Sequence, residues 1–263
     1  MNPTAHPEMP SLRPRSAAYF ETTHTVLSLP GLHPAHDGVR IAQLSDLHIG
    51  TATPRARIAG ALQAVRRAQP DLVFLTGDFV THSRYPLPRI AKELAGMAGP
   101  AFAVLGNHDH FVDARAVRTA LEEVGCTVLV NESLHVVVRG EPLFLVGIDD
   151  AVTRHDDVRR AFQHVPQDKP ALVLAHAPST ADDLPEARSL ACFSGHTHGG
   201  HLHFGAMTQW IADKLGQPYL RGLYKVRGNW LYVSRGLGFG RGSLVPRVAS
   251  EPEVAFFELR AGS

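Results

Sequence analysis

The chain has 263 residues, 44% hydrophobic and 19% charged, with a formal net charge of +1. That balance fits one large globular domain or two small ones and excludes collagen, coiled coil and wholesale disorder. A charge so near zero offers no field for nucleic acid or for an anionic membrane surface. Cys126 and Cys192 are too few for a disulfide framework and read as small buried side chains. Sixteen histidines against 25 acidic residues raise the expectation of metal.

Residues 1–20 read as a flexible lead: Met1 to Arg15 mix Pro, His, Arg and Ser without the apolar stretch of a signal peptide. No apolar run approaches the roughly 18 residues that cross a bilayer. The expected location is cytoplasmic, with room for peripheral contact with a membrane.

From Glu21 onward strand-length apolar runs alternate with helix-length amphipathic ones, the punctuation of an α/β domain spanning 21–263. Val39–Ser45 reads as a strand. Arg55–Gln69 carries Ile58, Leu62 and Val65 on one helical face and stops at Pro70. Leu72–Thr76 is a strand, Pro88–Ala98 a helix and Ala101–Leu105 a strand. Asp113–Val124 is a helix with Asp113 as N-cap and Gly125 past its end. Thr127–Val130, Leu134–Val138 and Leu143–Ile148 follow without room for helices, which predicts a meander. Alternation resumes with a helix near Asp157–His164, a strand at Ala171–Ala175, a short helix near Thr180–Ala187 and a strand at Leu190–Ser194. An irregular insertion over about 199–227 precedes two last strands, Trp230–Ser234 and Val254–Leu259.

The chemistry sits where strands stop. Five strands run into Asp46-Leu47-His48, Gly77-Asp78, Gly106-Asn107-His108-Asp109, His176, and Gly195-His196-Thr197-His198. In α/β sheets the carboxyl ends of strands form the ligand edge, so these segments can deliver their side chains to one place. Each motif alone is weak, because Asp can cap a helix and His can be a solvated loop residue. The ordered set reads as a metal site.

That ordered set resembles the calcineurin-like metallophosphoesterase superfamily, in its bacterial phosphodiesterase branch, from about Val39 to Leu259. The resemblance implies a four-layer α-β-β-α sandwich of two mixed sheets. It implies one ion on Asp46, His48, Asp78 and His198 and a second on Asp78, Asn107, His176 and His196, with Asp78 bridging. His108 would face the substrate phosphate as an acid, oriented by Asp109. Ligands without thiolate suit Mn, Fe, Zn or Ni, and the resemblance points to Mn or Fe with Zn. Paired ions about 3.5 to 4 Å apart lower the pKa of bound water toward about 7, so a hydroxide rather than a side chain attacks.

The expected reaction is phosphodiester hydrolysis on a small-molecule substrate, lipid-linked or sugar-nucleotide in type. The lipid reading rests on the apolar residues of 204–223, among them Trp210, Tyr219 and Leu223. Arg235 can meet a phosphate bidentately, and His201, where the family commonly carries Gln, adds a substrate-side imidazole. Gly236, Gly238, Gly240 and Gly242 fail the dinucleotide fingerprint and predict a loop passing close to another backbone. A phosphomonoesterase of the same fold and a metal-free docking scaffold stay open as alternatives. An amidohydrolase would present His-x-His on its first strand, and a helical His-Asp hydrolase would not place His108-Asp109 after a strand.

Overall fold

Strands form at every apolar run expected to be one, and their alternation decides which face of each meets which layer. The computed structural model describes residues 16–50, 53–97, 99–188, 190–200, 206–214, 216–238 and 250–262. Twelve strands among them build two six-stranded sheets.

The first sheet contains β1 (Glu21–Pro30), β2 (Arg40–Leu44), β3 (Leu72–Thr76), β4 (Ala101–Val104), β5 (Cys126–Val128) and β12 (Glu253–Gly262), in the order β1-β12-β2-β3-β4-β5. The run β2 to β5 is parallel, β12 is antiparallel to β2, and β1 is parallel to β12. The second contains β6 (Glu132–Val138), β7 (Glu141–Ile148), β8 (Ala171–Ala175), β9 (Leu190–Ser194), β10 (Gly222–Val226) and β11 (Asn229–Val233). Its order is β10-β11-β9-β8-β7-β6, with the four central strands parallel and a hairpin at each edge. Both sheets are mixed, as expected.

The sheets pack face to face. Ile41, Leu72 and Phe74 point inward against Leu145, Leu174 and Phe193, all buried. On the outer face of the first sheet Leu44, Val73 and Leu75 lie under α1 (Arg55–Ala68), α2 (Leu87–Leu94) and α4 (Ala114–Glu122). The α1 residues Ile58, Ala61, Leu62 and Val65 recur at helical spacing on its buried side. The helix ends at Gln69 in the left-handed conformation, one residue before Pro70. Asp113 caps α4, its carboxylate accepting from the Ala116 amide at 3.1 Å. Each such buried Leu, Ile, Val or Phe is worth about 1.5–3 kcal/mol of transfer free energy. The second sheet's outer face is covered by α5 (Val158–Ala161) and by Ala181 and Leu184. Both cysteines are buried thiols.

Several local expectations are corrected. The meander does not form: β5 joins the first sheet beside β4, while β6 and β7 make a hairpin in the second. The chain crosses between sheets at Asn131, whose left-handed backbone (φ 52°) makes the turn. The helix near Asp157–His164 shrinks to α5, capped by Asp157 onto the Arg160 amide at 2.9 Å. In place of Thr180–Ala187 there is a 3-10 turn over Pro178–Asp182. The stretch 199–227 contains α6 (Ala206–Lys214) and β10 among its described residues. Asn107–Val112, given no element in the sequence, is a short helix, α3. No described helix is long and apolar enough to cross a membrane.

Candidate metal centre

Gln43 shows how the two sheets are brought into register at this edge. Wholly buried on β2, it donates through Nε2 to Thr76 Oγ1 on β3 at 2.9 Å and to the Ser194 carbonyl oxygen on β9 at 3.0 Å. Immediately beyond these positions the strands end and the expected ligands begin. The amide of Asp46 donates to the Gly77 carbonyl at 3.0 Å, that of His48 to the Asp78 carbonyl at 2.9 Å, and that of Gly195 to the His176 carbonyl at 3.0 Å. Successive strand-end loops are thus stitched to one another.

The loops turn sharply because the backbone goes left-handed at the ligands themselves. Asp46, His48, Asp78, His196 and His198 all have φ between 44° and 71°. Such conformations cost on the order of 1–3 kcal/mol each in non-glycine residues and concentrate at functional sites. Gly77 also has positive φ, and a Cβ there would lie 2.6 Å from His176 Nδ1.

Seven side chains from five strand ends converge. His48 Nε2 and His198 Nε2 are 3.2 Å apart, and His198 Nε2 is 3.5 Å from Asp46 Oδ1. Asp78 Oδ2 lies between two imidazoles, 3.7 Å from His48 Nε2 and 3.4 Å from His176 Nε2. Asn107 Oδ1 lies 3.2 Å from His176 Nε2 and 2.9 Å from His196 Nδ1. Ligand atoms of Asp46, His48 and His198 lie within 4.8 Å of one another, as do those of Asp46, Asp78 and His176. All of these side chains except His196 are buried.

The outer nitrogens are already committed. His176 Nδ1 faces the Thr76 carbonyl oxygen at 2.8 Å. A carbonyl only accepts, so Nδ1 carries the hydrogen and Nε2 is turned toward Asp78 and Asn107. His48 Nδ1 meets Thr81 Oγ1 at 3.1 Å, leaving its Nε2 toward Asp78 and His198.

Burial pushes the Asp78 carboxyl up, but His176 and His48 outweigh it and hold Asp78 well below the usual carboxylate range. Burial pulls His176 down, yet Asp78 raises it to about 10. Burial lowers His48 and His196. Two carboxylates removed from water call for a cation beside them. The donor set of carboxylate, imidazole and amide oxygen fits a divalent ion of the Mn, Fe or Zn kind.

His108 and Asp109 have different tasks from each other. The His108 amide donates to Asp78 Oδ1 at 2.9 Å, and its ring Nδ1 lies 2.7 Å from the Thr81 carbonyl oxygen. Asp109, expected to orient His108, instead accepts from the backbone amides of Asp78, Phe79, Val80 and Gly106 at 2.9 to 3.2 Å. Its carboxylate is fully buried and spent on the turns that carry Asp78 and Asn107; Thr81 orients the imidazole. Burial and nearby Asp78 push Asp109 up to about 7 against the pull of those amides.

Arg235 reaches the site's edge already paired: Nε to Glu253 Oε2 at 2.8 Å and Nη1 to Glu21 Oε2 at 2.9 Å. These two carboxylates make it a tie between β1, β12 and the loop after β11. His201 lies outside the described residues, as do His203, Gly240, Arg241 and Gly242. The expected close approach holds at Gly238, whose amide donates to the Asp46 carbonyl at 2.7 Å. In the expected apolar rim Trp210 and Leu223 are exposed, while Leu220 is buried.

Two features escape the sequence reading. Thr81, which positions two imidazoles, carries no signal. Asp149-Asp150, following β7 at the same edge, repeats the strand-end pattern and is findable by it. Asp149 Oδ1 pairs with His110 Nε2 at 2.7 Å, and Asn131 Oδ1 accepts from the Asp149 and Asp157 amides.

Stacked mixed sheets with carboxylates and imidazoles gathered at their strand ends define a metallohydrolase type of fold and site. The chain belongs to the calcineurin-like phosphoesterase family, whose model matches residues 39–200. It is 30% identical over 239 residues to the metallophosphoesterase YkoQ of Bacillus subtilis, covering 86% of this chain and 85% of that one. It is 28% identical over 273 residues to UDP-2,3-diacylglucosamine pyrophosphatase LpxG of Chlamydia trachomatis, covering 82% of each. Among solved structures it resembles a 5'-nucleotidase precursor from Thermus thermophilus, with a TM-score of 0.52 at 16% identity over 84% of this chain. The chain spans 54% of that structure, a likeness of fold.

Proposed function

We propose that this protein is a dinuclear metal-dependent phosphodiesterase. Asp46, His48, Asp78 and His198 hold one ion, and Asp78, Asn107, His176 and His196 the other. The observation that carries this reading is the place of Asp78 Oδ2 between His48 and His176. Bound there, the ions would activate water and neutralise the phosphoryl oxygens of an in-line displacement.

The chain's own residues do the rest. The Thr76 and Thr81 carbonyl oxygens hold the ring hydrogen of His176 and His108 on Nδ1. The His108 amide clamps the second oxygen of Asp78. The His108 ring, with Nδ1 given to Thr81, presents Nε2; once protonated, that nitrogen can donate to the leaving oxygen. Asp109 holds the turns.

A lipid-linked substrate is the finer reading. Exposed Trp210 and Leu223 and the similarity to LpxG support it, since apolar side chains beside a phosphate site can hold the greasy part of such a molecule.

The deciding experiment compares wild type with Asp78→Ala after loading with manganese. Wild type should bind about two ions per chain and hydrolyse bis(p-nitrophenyl) phosphate faster than p-nitrophenyl phosphate, whereas Asp78→Ala should lose metal and turnover together. Wild-type turnover in Asp78→Ala would remove the bridging role, and a preference for the monoester would make this a phosphomonoesterase.

A further inference from the structure

The His108 ring is flanked by two further rings that the proposed metal centre does not use. His82, exposed on the loop after β3, lies with its ring centroid 5.4 Å from that of His108 at an interplanar angle of 61°. Phe111, on α3, lies 6.0 Å away at 80° and is 67% exposed. The His48 ring is a third neighbour at 5.1 Å. His82 and Phe111 belong to different segments that are fastened together, by His108 Nδ1 on the Thr81 carbonyl and by Arg84 Nη2 on Asp113 Oδ2 at 2.9 Å. Both segments are thus anchored next to the His108 ring, although an exposed phenylalanine gains nothing from water there.

We propose that His82 and Phe111 form the leaving-group subsite of the phosphodiesterase, and that it takes a planar aromatic leaving group, a nucleoside or an aryl alcohol. The assignment rests on the diesterase reading above only in placing the leaving oxygen at His108. A group departing from that oxygen would leave past the His108 ring, beside which His82 and Phe111 both stand. Rings set at steep angles to a third ring offer faces and edges to another flat ring. They do not make the smooth aliphatic floor that an acyl chain would fill. His82 adds a hydrogen-bonding edge, which suits a heteroaromatic ring. The apolar residues Trp210 and Leu223 belong to the chain after β9, so they leave this subsite to the other end of the substrate.

The test measures dissociation constants by calorimetry on the manganese-loaded protein for three diesters of equal charge: diphenyl phosphate, dibutyl phosphate and thymidylyl-thymidine. Diphenyl phosphate should bind roughly tenfold more tightly than dibutyl phosphate. Phe111→Leu, which keeps apolar bulk without a ring, and His82→Ala should each reduce that preference to about twofold or less. Thymidylyl-thymidine sharing the same dependence identifies a nucleoside; its failure to do so identifies an aryl alcohol. An unchanged preference in both variants, or a wild type that favours the dibutyl ester, overturns the proposal. Turnover of bis(p-nitrophenyl) phosphate is read in parallel. Absence of turnover with the binding preference intact counts against the diesterase reading alone.

Discussion

His108 directs Nδ1 at the carbonyl oxygen of Thr81, 2.7 Å away. A carbonyl accepts only, so the neutral ring keeps its hydrogen on Nδ1 and a bare Nε2 toward the cleft. His108 is no ligand in the proposed set, so its removal separates metal binding from proton transfer. His108→Ala should keep near-normal metal content while turnover of bis(p-nitrophenyl) phosphate falls roughly 10²-fold or more. Metal analysis and steady-state kinetics on one preparation check this; unaltered turnover makes the ring a bystander.

Asp109 is a hub for the turns. Its carboxylate accepts from four backbone amides while fully buried. Asparagine keeps the shape but aims an NH₂ at some of those donors, leaving buried groups unmatched. Asp109→Asn should cost about 2–4 kcal/mol of stability in urea and weaken metal binding as Asp78 and Asn107 lose their positions. A variant with wild-type stability would show that the amides find other partners.

Gly77 tests the crowding under the site. Its φ of 88°, and the 2.6 Å that would separate an added Cβ from His176 Nδ1, leave alanine no relaxed position. Gly77→Ala should destabilise the protein by at least about 2 kcal/mol and displace His176, measured as lower thermal stability and lower metal occupancy. A neutral outcome would mean that the β3 turn has freedom which the packing does not suggest.

His110 and Asp149 give a pH dependence away from the proposed ligands. Burial pulls the imidazole down, but the 2.7 Å bond to Asp149 outweighs it and raises the histidine above its ordinary value. A raised folded value stabilises fully below the unfolded pKa, about 6.5, and the contribution fades as pH rises through the folded value. The unfolding free-energy gap between wild type and Asp149→Asn should therefore be larger at about pH 6 than at about pH 9. A gap independent of pH would show that the pair is not charged when folded.

Much of this architecture is legible in the residues, and the failures are instructive. Strands β3, β8 and β9 follow from apolar runs buried on both faces, where the sequence pattern and the burial coincide. β1 is hidden because its first six residues alternate between half-buried and exposed, and because its partner β12 lies at the far end of the chain. α3 is hidden because Asn107, His108, Asp109 and His110 are polar residues that otherwise favour turns; the helix closes on the Gly106 carbonyl. The candidate ligands can be listed because strand ends announce themselves. The left-handed backbone at five of them cannot, since it is imposed by loops from two sheets meeting. Asp109 reads in sequence as the partner of its neighbour, whereas its partners lie about thirty residues earlier and at Gly106.

Gln43 spans the gap between the sheets just beneath the cluster, and the ligands above it come from both halves: Asp46 and His48 from one, His196 and His198 from the other. Ions held as proposed would act as a clasp across that rim of the sandwich. Stripping such ions would loosen the two halves at the edge that carries the proposed ligands.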